Sequence, residues 1–478
     1  MNSENDWVRN AAAPRTLDLE RVLQRLASVD ASHLGVTVAA PVLAPSKIFS
    51  AMPLEPAILW SGQHETCEVG LGSACACEGN GSARLPAIIE QTEDFFRNYQ
   101  GVGLGASAIE PRFYGGFSTV PMKTEATHWR DFSDAEFTLP QLLYRTNAHQ
   151  ASLTLFTSRS EILDPQSRKA QIDRVQALIA IPAEYIQDGA QPPVSLMRRT
   201  DNPNRESWNN HVQEACRLLQ QGELEKVVLA REMLLICSST PDAVGIIDSL
   251  LGRRDGSVCF AMRRGSSTFL GATPERLVTK RGSQIVTEAL AGSAATSDPE
   301  ALQSLLSGDK NRLEHSLVVR EIVSRLKGLG ADVTVPEAPE LRQFGPLVHL
   351  HTLLTASKFA APHVLILGEH LHPTPAVGGI PVGQALEFIR THESFDRGRY
   401  ASPIGWFDRN GDGELAIALR AGLINGREVR LYAGAGLVTG SQADAEWRET
   451  ELKFRTFLDA LGLKTQAGLP SQACHNLP

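Results

Sequence analysis

Apolar residues along the chain follow three patterns. Up to roughly residue 185 they come in short runs separated by turn signals such as GLGSACACEGNGSARLP and FYGGFSTVP, which predict strands and hairpins rather than long helices. A polar, proline-bearing stretch, QDGAQPPVSLMRRTDNPNR, then predicts a connector. Beyond it the pattern is more regular. SWNNHVQEACRLLQQG, residues 207–222, has apolar positions at helical spacing and a glycine stop. LEKVVLAREMLL is an almost unbroken aliphatic run, as in a strand buried on both faces, with Lys226 near its start. STFLGATPERLV and SQIVTEALAGSAA predict further strands, NRLEHSLVVREIVSRLKGLG a helix, and GWFDRNGDGELAIALRAGLI two strands joined by a Gly/Asn/Asp turn.

The last regular segment is ADAEWRETELKFRTFLDALG. On a helical wheel at about 100° per residue, Trp447, Phe454, Phe457, Leu458 and Leu461 form an apolar stripe. Arg448, Glu451, Arg455 and Asp459 gather on the far, solvated side. Glu446, Glu449 and Lys453 lie on neither face; they share an arc with the small residues Ala445, Thr456 and Ala460. Such an arc suits a pocket. A plain i,i+4 pair between Glu449 and Lys453, worth about 0.2–0.5 kcal/mol, would explain the same spacing.

Composition narrows the possible ligands. The 478 residues are 42% hydrophobic and 21% charged with a net charge of -8, a soluble globular balance without the basic face that nucleic acid or an anionic membrane requires. The beginning, MNSENDWVRN, does not read as a secretory signal, and no stretch has the length and apolarity of a bilayer span, so the expected location is the cytoplasm. Seven cysteines spread thinly argue for reduced thiols. The cluster His64, Cys67, Cys75 and Cys77 lacks the spacing of paired zinc knuckles and is read as buried or incidental thiols.

Several polar residues are out of place. Lys226 begins an apolar strand, where a buried ammonium costs several kcal/mol unless it is paired or neutral. It is either an edge lysine reaching water or a general base. Glu275, in GATPERL, either pairs with its neighbour Arg276 or serves as a general acid. Glu314 stands in the first turn of a helix beginning near Asp309, with Leu317 and Val318 rather than a basic partner one turn on. Carboxylates from two helices are what a magnesium ion takes, since it rarely receives a full protein cage. GAGLVTG is one residue too long for a dinucleotide loop, and Asp408, Asn410, Asp412 and Gly413 fit a hairpin turn better than a calcium loop.

EKVVLAR, GATPERL, ALAGSAA, KNRLEH, LHPTPAVGGIP, RGRYASPIGW, IALRAGL, AGAGLV and EWRETELK occur in this order over residues 200–463. Together they resemble the chorismate-utilising enzymes, the family of isochorismate synthase, salicylate synthase, anthranilate synthase large subunit and aminodeoxychorismate synthase. GGFS, HWRDF and FTLP further upstream look like the longer isochorismate synthases. The resemblance implies an α/β (α+β) protein of two lobes, with large antiparallel sheets facing each other around a central cleft and helices outside. It divides the chain into a sheet-rich region over 1–195 packing on a catalytic part over 196–463, with a loose tail over 464–478.

By matched motif, the resemblance makes Glu314 and Glu449 ligands of a magnesium ion, with Glu446 acting through water and Asn311 where some relatives carry an acid. The metal would hold the ring carboxylate of chorismate. Arg420, Lys453 and the backbone amides of Gly434 and Gly436 would fix substrate carboxylates, with Gly292, His349 and Ala376 also lining the substrate site. Lys226 would activate water for attack at C2, and Glu275 would protonate the departing C4 hydroxyl. Ala291 replaces the lysine nucleophile of aminodeoxychorismate synthases, and Ala376 the threonine of salicylate synthases. Isochorismate synthase, an isomerase, is therefore the expected activity. Salicylate synthase and a catalytically silent chorismate or metal binder are the alternatives. The implied partners are the small molecule alone, without a glutaminase subunit, and a monomer is the family's commoner state. Menaquinone and salicylate or 2,3-dihydroxybenzoate siderophore pathways are all open to the product.

Overall fold

A computed structural model describes residues 16–62, 66–119, 127–147, 149–182 and 194–463. Among them the chain forms a 13-stranded and a 10-stranded sheet, and in each a block of strands from the upstream region lies edge to edge with a block from the downstream region. The strand Ala57–Ser61 pairs with Val258–Arg264 in the larger sheet, and Phe113–Phe117 pairs with Pro403–Phe407 in the smaller. The sheet-rich region upstream and the regular region downstream thus build the same two sheets.

The aliphatic runs form strands because both of their faces find apolar partners. In Val258–Arg264, Phe260 and Met262 point into a core shared with Phe137, Trp406 and Phe407 of the smaller sheet. The alternate residues Cys259 and Ala261 point into a second core, covered by the helices Thr16–Leu26, Pro165–Ile179 and Ala443–Ala460. Two-sided burial of this kind removes the polar alternation that a solvated sheet would show.

Three expectations are corrected. The region before residue 185 contains the helices Thr16–Leu26, Arg84–Arg97 and Pro165–Ile179 as well as strands. The third opens on Asp164, whose carboxylate accepts from the Ser167 amide, followed by Pro165 in the first turn, a start signal that the surrounding turn residues obscure. The connector narrows, because Leu196–Asn202 within it is a strand paired with Lys226–Cys237; residues 183–193 lie outside the described residues. GWFDRNGDGELAIALRAGLI forms three strands instead of two: Pro403–Phe407 and Gly413–Ile417 make the expected hairpin in the smaller sheet, and Ala421–Asn425 belongs to the larger.

Two of the places where the chain crosses between the sheets lie side by side. One lies between Ser267–Thr273 in the larger sheet and Arg276–Arg281 in the smaller, and the other between Gly413–Ile417 and Ala421–Asn425. The crossings are tied together by the Ile417 amide donating to the Glu275 carbonyl at 3.0 Å. Where the sheets part beside these crossings, the helices Asp309–Gly328 and Ala443–Ala460 bring in their charged residues.

The helix Ala443–Ala460 buries Phe454, Phe457 and Leu458 as its stripe predicts. Its outer face is less solvated than expected: Glu451 accepts from Arg199 at 2.7 Å and from the fully buried Arg231 at 2.9 Å. Trp208, on the helix Arg205–Gln220, is fully buried, meets Trp447 edge-on and donates to the Ala443 carbonyl at 3.1 Å. Trp208→Ala should therefore lower the unfolding free energy by about 3–5 kcal/mol in urea titration. A loss below about 1 kcal/mol would show that this indole does not anchor the helix.

Candidate active site

Glu275 and Arg420 sit at the two sheet crossings, where no ladder partner directs the side chain and it can turn into the space between sheets. Arg420 has a left-handed backbone, φ 51°, unusual for a residue with a Cβ and held by the strands on either side. Glu275 does not pair with Arg276, which instead approaches Glu288 at 3.7 Å and Glu414 at 3.5 Å. Its carboxyl is buried in a cavity also lined by Lys226, Glu314, His349, Ala376, Arg420, Glu449 and Lys453. Burial, opposed by Lys226 and reinforced by Glu288, raises it to about 8, so it is mostly protonated at neutral pH.

Lys226 is wholly buried at the head of Lys226–Cys237, so it is no edge lysine reaching water. The strand is covered on both sides there: Lys226 pairs with Ile380, and Val228 faces Gly436 of the strand Glu428–Leu437. Its ammonium lies 2.9 Å from a Glu314 carboxylate oxygen, so Glu314 has a basic partner after all, from a strand rather than its own helix. The approach depends on Gly436, where a Cβ would stand 2.3 Å from that oxygen and 3.0 Å from the Lys226 Cε.

Glu449 and Lys453 do form their i,i+4 pair, at 2.6 Å. Lys453 also donates to the Gly434 carbonyl at 2.7 Å. Beyond Leu431 the strand Glu428–Leu437 has a paired neighbour on one edge only among the described residues. A strand residue sends its N–H and C=O to the same edge, so Gly434 and Gly436, two residues apart, turn both backbone groups toward the open edge. Burial pushes the Glu449 carboxyl up, but Lys453, Lys310 and Arg420 together hold it below the usual carboxylate range. Glu446 is buried against Lys310 at 2.7 Å, and its pKa is raised by burial and by Glu449.

His349 accepts or donates at Nδ1 with the Ser293 hydroxyl at 2.9 Å and stands 3.5 Å from an Arg420 nitrogen through Nε2. Burial, then Arg420 and Lys453, hold it well below its ordinary value, so it is neutral. Gly292, φ 74°, makes the bulge in Gln284–Ala295 that offsets Ser293 against His349. Ala376 lies in the loop before Gly379–Ile380, held by Arg397, which donates to the Val377 and Val228 carbonyls at 2.9 Å each. Arg397, Tyr400 and Tyr432 also line the cavity and were not singled out from sequence, though RGRYASP carries the first two. Arg420 Nη1 is buried with no hydrogen-bond partner among the described residues. An orphaned guanidinium nitrogen calls for an anionic ligand.

No three His, Cys, Asp or Glu side chains among the described residues form a metal cage by themselves. Glu314 and Glu449, from two helices, nonetheless line one cavity, and Glu446 stands one turn before Glu449 on the same helix. Hard carboxylate oxygens of this number suit magnesium, whose remaining ligands would be water and substrate oxygens. Of the cysteines read as buried or incidental thiols, Cys67 and Cys77 are buried, in different cores, and His64 lies outside the described residues. No helix among the described residues is long and apolar enough to cross a membrane.

Comparison with known proteins identifies the family. Residues 21–462 match the model of a chorismate binding enzyme family. The isochorismate synthase MenF of Bacillus subtilis is 33% identical over 416 residues, 84% of this chain and 87% of the relative. The salicylate biosynthesis isochorismate synthase of Pseudomonas aeruginosa is 33% identical over 438 residues, 88% of each. Among solved structures, the menaquinone-specific isochorismate synthase MenF of Escherichia coli superposes with a TM-score of 0.74 at 26% identity, covering 94% of this chain and 100% of that one. Anthranilate synthase component I of Streptococcus pneumoniae shares the fold, with a TM-score of 0.66 at 17% identity, over 96% of this chain and 100% of that one. The chain belongs to the chorismate-binding enzyme family, with its two facing sheets and outer helices.

Gly436→Ala tests the close approach. The added methyl group would displace Glu314 or Lys226, so turnover of chorismate should fall by about 10²-fold while the thermal midpoint moves only a few degrees. Unchanged turnover would show that the Lys226–Glu314 spacing is not needed.

Proposed function

We propose that the protein is a magnesium-dependent isochorismate synthase, an isomerase that adds water at C2 of chorismate and removes the C4 hydroxyl. The observation that carries this reading is one cavity holding a lysine, a carboxylic acid that stays protonated at neutral pH, and a buried arginine with a free nitrogen. The naming of relatives spanning more than four-fifths of the chain points to the same reaction. One matching relative is named for salicylate biosynthesis and one matching structure as menaquinone-specific, and the product of this chain would feed a menaquinone or a siderophore pathway.

In the proposed mechanism, the reactive form carries Lys226 as the neutral amine, which takes the proton of a water molecule as the water oxygen bonds to C2. The ring double bonds shift, the C4–O bond breaks, and Glu275 gives its proton to the leaving hydroxyl, which departs as water. Water is taken up at C2 and released from C4, a near-symmetric exchange of hydroxyls that is therefore reversible, and Glu275 and Lys226 exchange roles in reverse. Glu314 and Glu449 would hold the magnesium ion, with Glu446 acting through water, and the ion would supply positive charge for the ring carboxylate. Arg420, Lys453 and the open amides of Gly434 and Gly436 hold the substrate carboxylates. His349, neutral and held by Ser293, keeps Arg420 oriented without adding charge. Ala376 presents only a methyl group beside the cavity, which favours release of isochorismate over elimination of pyruvate.

Purified protein incubated with chorismate and magnesium should yield isochorismate on chromatography, with no pyruvate. Lys226→Ala and Glu275→Gln should each lower kcat by about 10²–10⁴-fold. Pyruvate and salicylate as products would identify a salicylate synthase instead, and full activity in both variants would remove the assigned acid and base.

Glu275 acts in its protonated form, which prevails below its pKa and is lost above it. The kcat/KM profile should therefore fall as pH rises through about 8. A profile that stays flat through this range would exclude Glu275 as the proton donor.

A further inference from the structure

Three carboxylates at the cleft each close on a separate lysine: Glu314 on Lys226 at 2.9 Å, Glu449 on Lys453 at 2.6 Å and Glu446 on Lys310 at 2.7 Å. The mechanism assigns work to Lys226 and Lys453. It gives none to Lys310. That residue stands one helical turn before Glu314 on Asp309–Gly328, so its side chain shares a face with the proposed metal ligand. Its partner Glu446 is buried, with 2% of its side chain exposed, whereas Lys310 keeps 38% of its own exposed. The ammonium is thus anchored at its tip, while its stem has a route to water.

We propose that Lys310 is a built-in counter-ion of the metal site: in the metal-free enzyme its ammonium neutralises the carboxylates that receive the divalent ion, and metal enters by displacing it. The inference rests on the reading of Glu314, Glu446 and Glu449 as the metal-holding set.

The electrostatics give the reason. Three carboxylates brought together from two helices repel one another in a partly desolvated space, and a cation among them relieves that repulsion. Lys310 meets Glu446 at 2.7 Å and stands one turn before Glu314, so its ammonium is the positive charge that this face of the helix brings to them. A divalent ion entering the same field meets the ammonium as a like charge. Lys226 cannot swing away, being walled in by the sheet, and Lys453 is also tied to the Gly434 carbonyl. Lys310 is the half-exposed member of the trio and the one that can leave by rotating its own side chain. The device would keep the helices docked when metal is scarce and weaken metal binding in exchange.

The test is metal binding to the full chain without chorismate. Titrate wild type, Lys310→Met and Lys310→Gln with magnesium by calorimetry, and with manganese by the loss of its free-ion spin-resonance signal. Both variants should bind about tenfold more tightly than wild type, and saturating magnesium should raise their thermal midpoints by more than it raises the wild-type value. Lys310→Arg, which keeps the charge, should bind like wild type. Equal or weaker binding in the Met and Gln variants overturns the counter-ion proposal and leaves the metal reading in place. Failure of all four proteins to bind either ion overturns both. Binding by the neutral variants alone supports the proposal in its strongest form.

Discussion

The buried ammonium of Lys226 is the constraint around which the site is organised. With no exposure to water it requires a counter-charge, and Glu314 on a different element provides it at 2.9 Å. Removing one partner of such a pair typically costs about 3–5 kcal/mol, because the other charge remains buried alone. The requirement reaches outward through three elements. The strand Lys226–Cys237 must lie in register with Glu428–Leu437, so that Gly436 stands opposite Val228, and the helix Asp309–Gly328 must approach over that glycine. A side chain at residue 436 would separate strand from helix, and with them the lysine from its carboxylate.

The cleft itself follows from the two sheets sharing one continuous chain. Each crossing between them interrupts the ladder, and an interrupted strand can send a side chain into the gap. Glu275 occupies one crossing and Arg420 the other, and the hydrogen bond between crossings sets their spacing. The resulting field is graded by burial and neighbouring charge. Glu275 is kept protonated, His349 neutral and Glu449 ionised, although all three are carboxyl or imidazole groups in one cavity. Distinct protonation states of adjacent groups separate acid from base in a single site.

Much of this was legible in the chain. The apolar stripe of Ala443–Ala460, the two-sided run of Lys226–Cys237 and the ordered motifs placed every proposed site residue on an element close to the observed one. The cavity then gathers all of them but Glu446, which stands behind it against Lys310. The misreadings share a cause. Glu451, placed on a solvated face by the wheel, is drawn into an ion cluster with Arg199 and Arg231 from strands far away in sequence. Trp129 of the upstream region stacks on Tyr432, and Tyr432 stacks on Tyr400 in the cavity wall. No local pattern announces a contact between residues 129 and 432.

By itself, the sequence determined the alternation of elements, the residues with chemistry and the family, because periodicity and motif order are properties of neighbours along the chain. It left open whether Glu449 pairs with Lys453 or faces a pocket, and the structure answers that it does both. Only the tertiary structure decided that Lys226 would be sealed from water, that Glu275 would turn from Arg276 into the cleft, and that Glu314 and Glu446 would each receive a lysine from another element. Those outcomes depend on distances and on the exclusion of water between segments far apart in sequence, and electrostatic energies are set by such distances rather than by spacing along the chain.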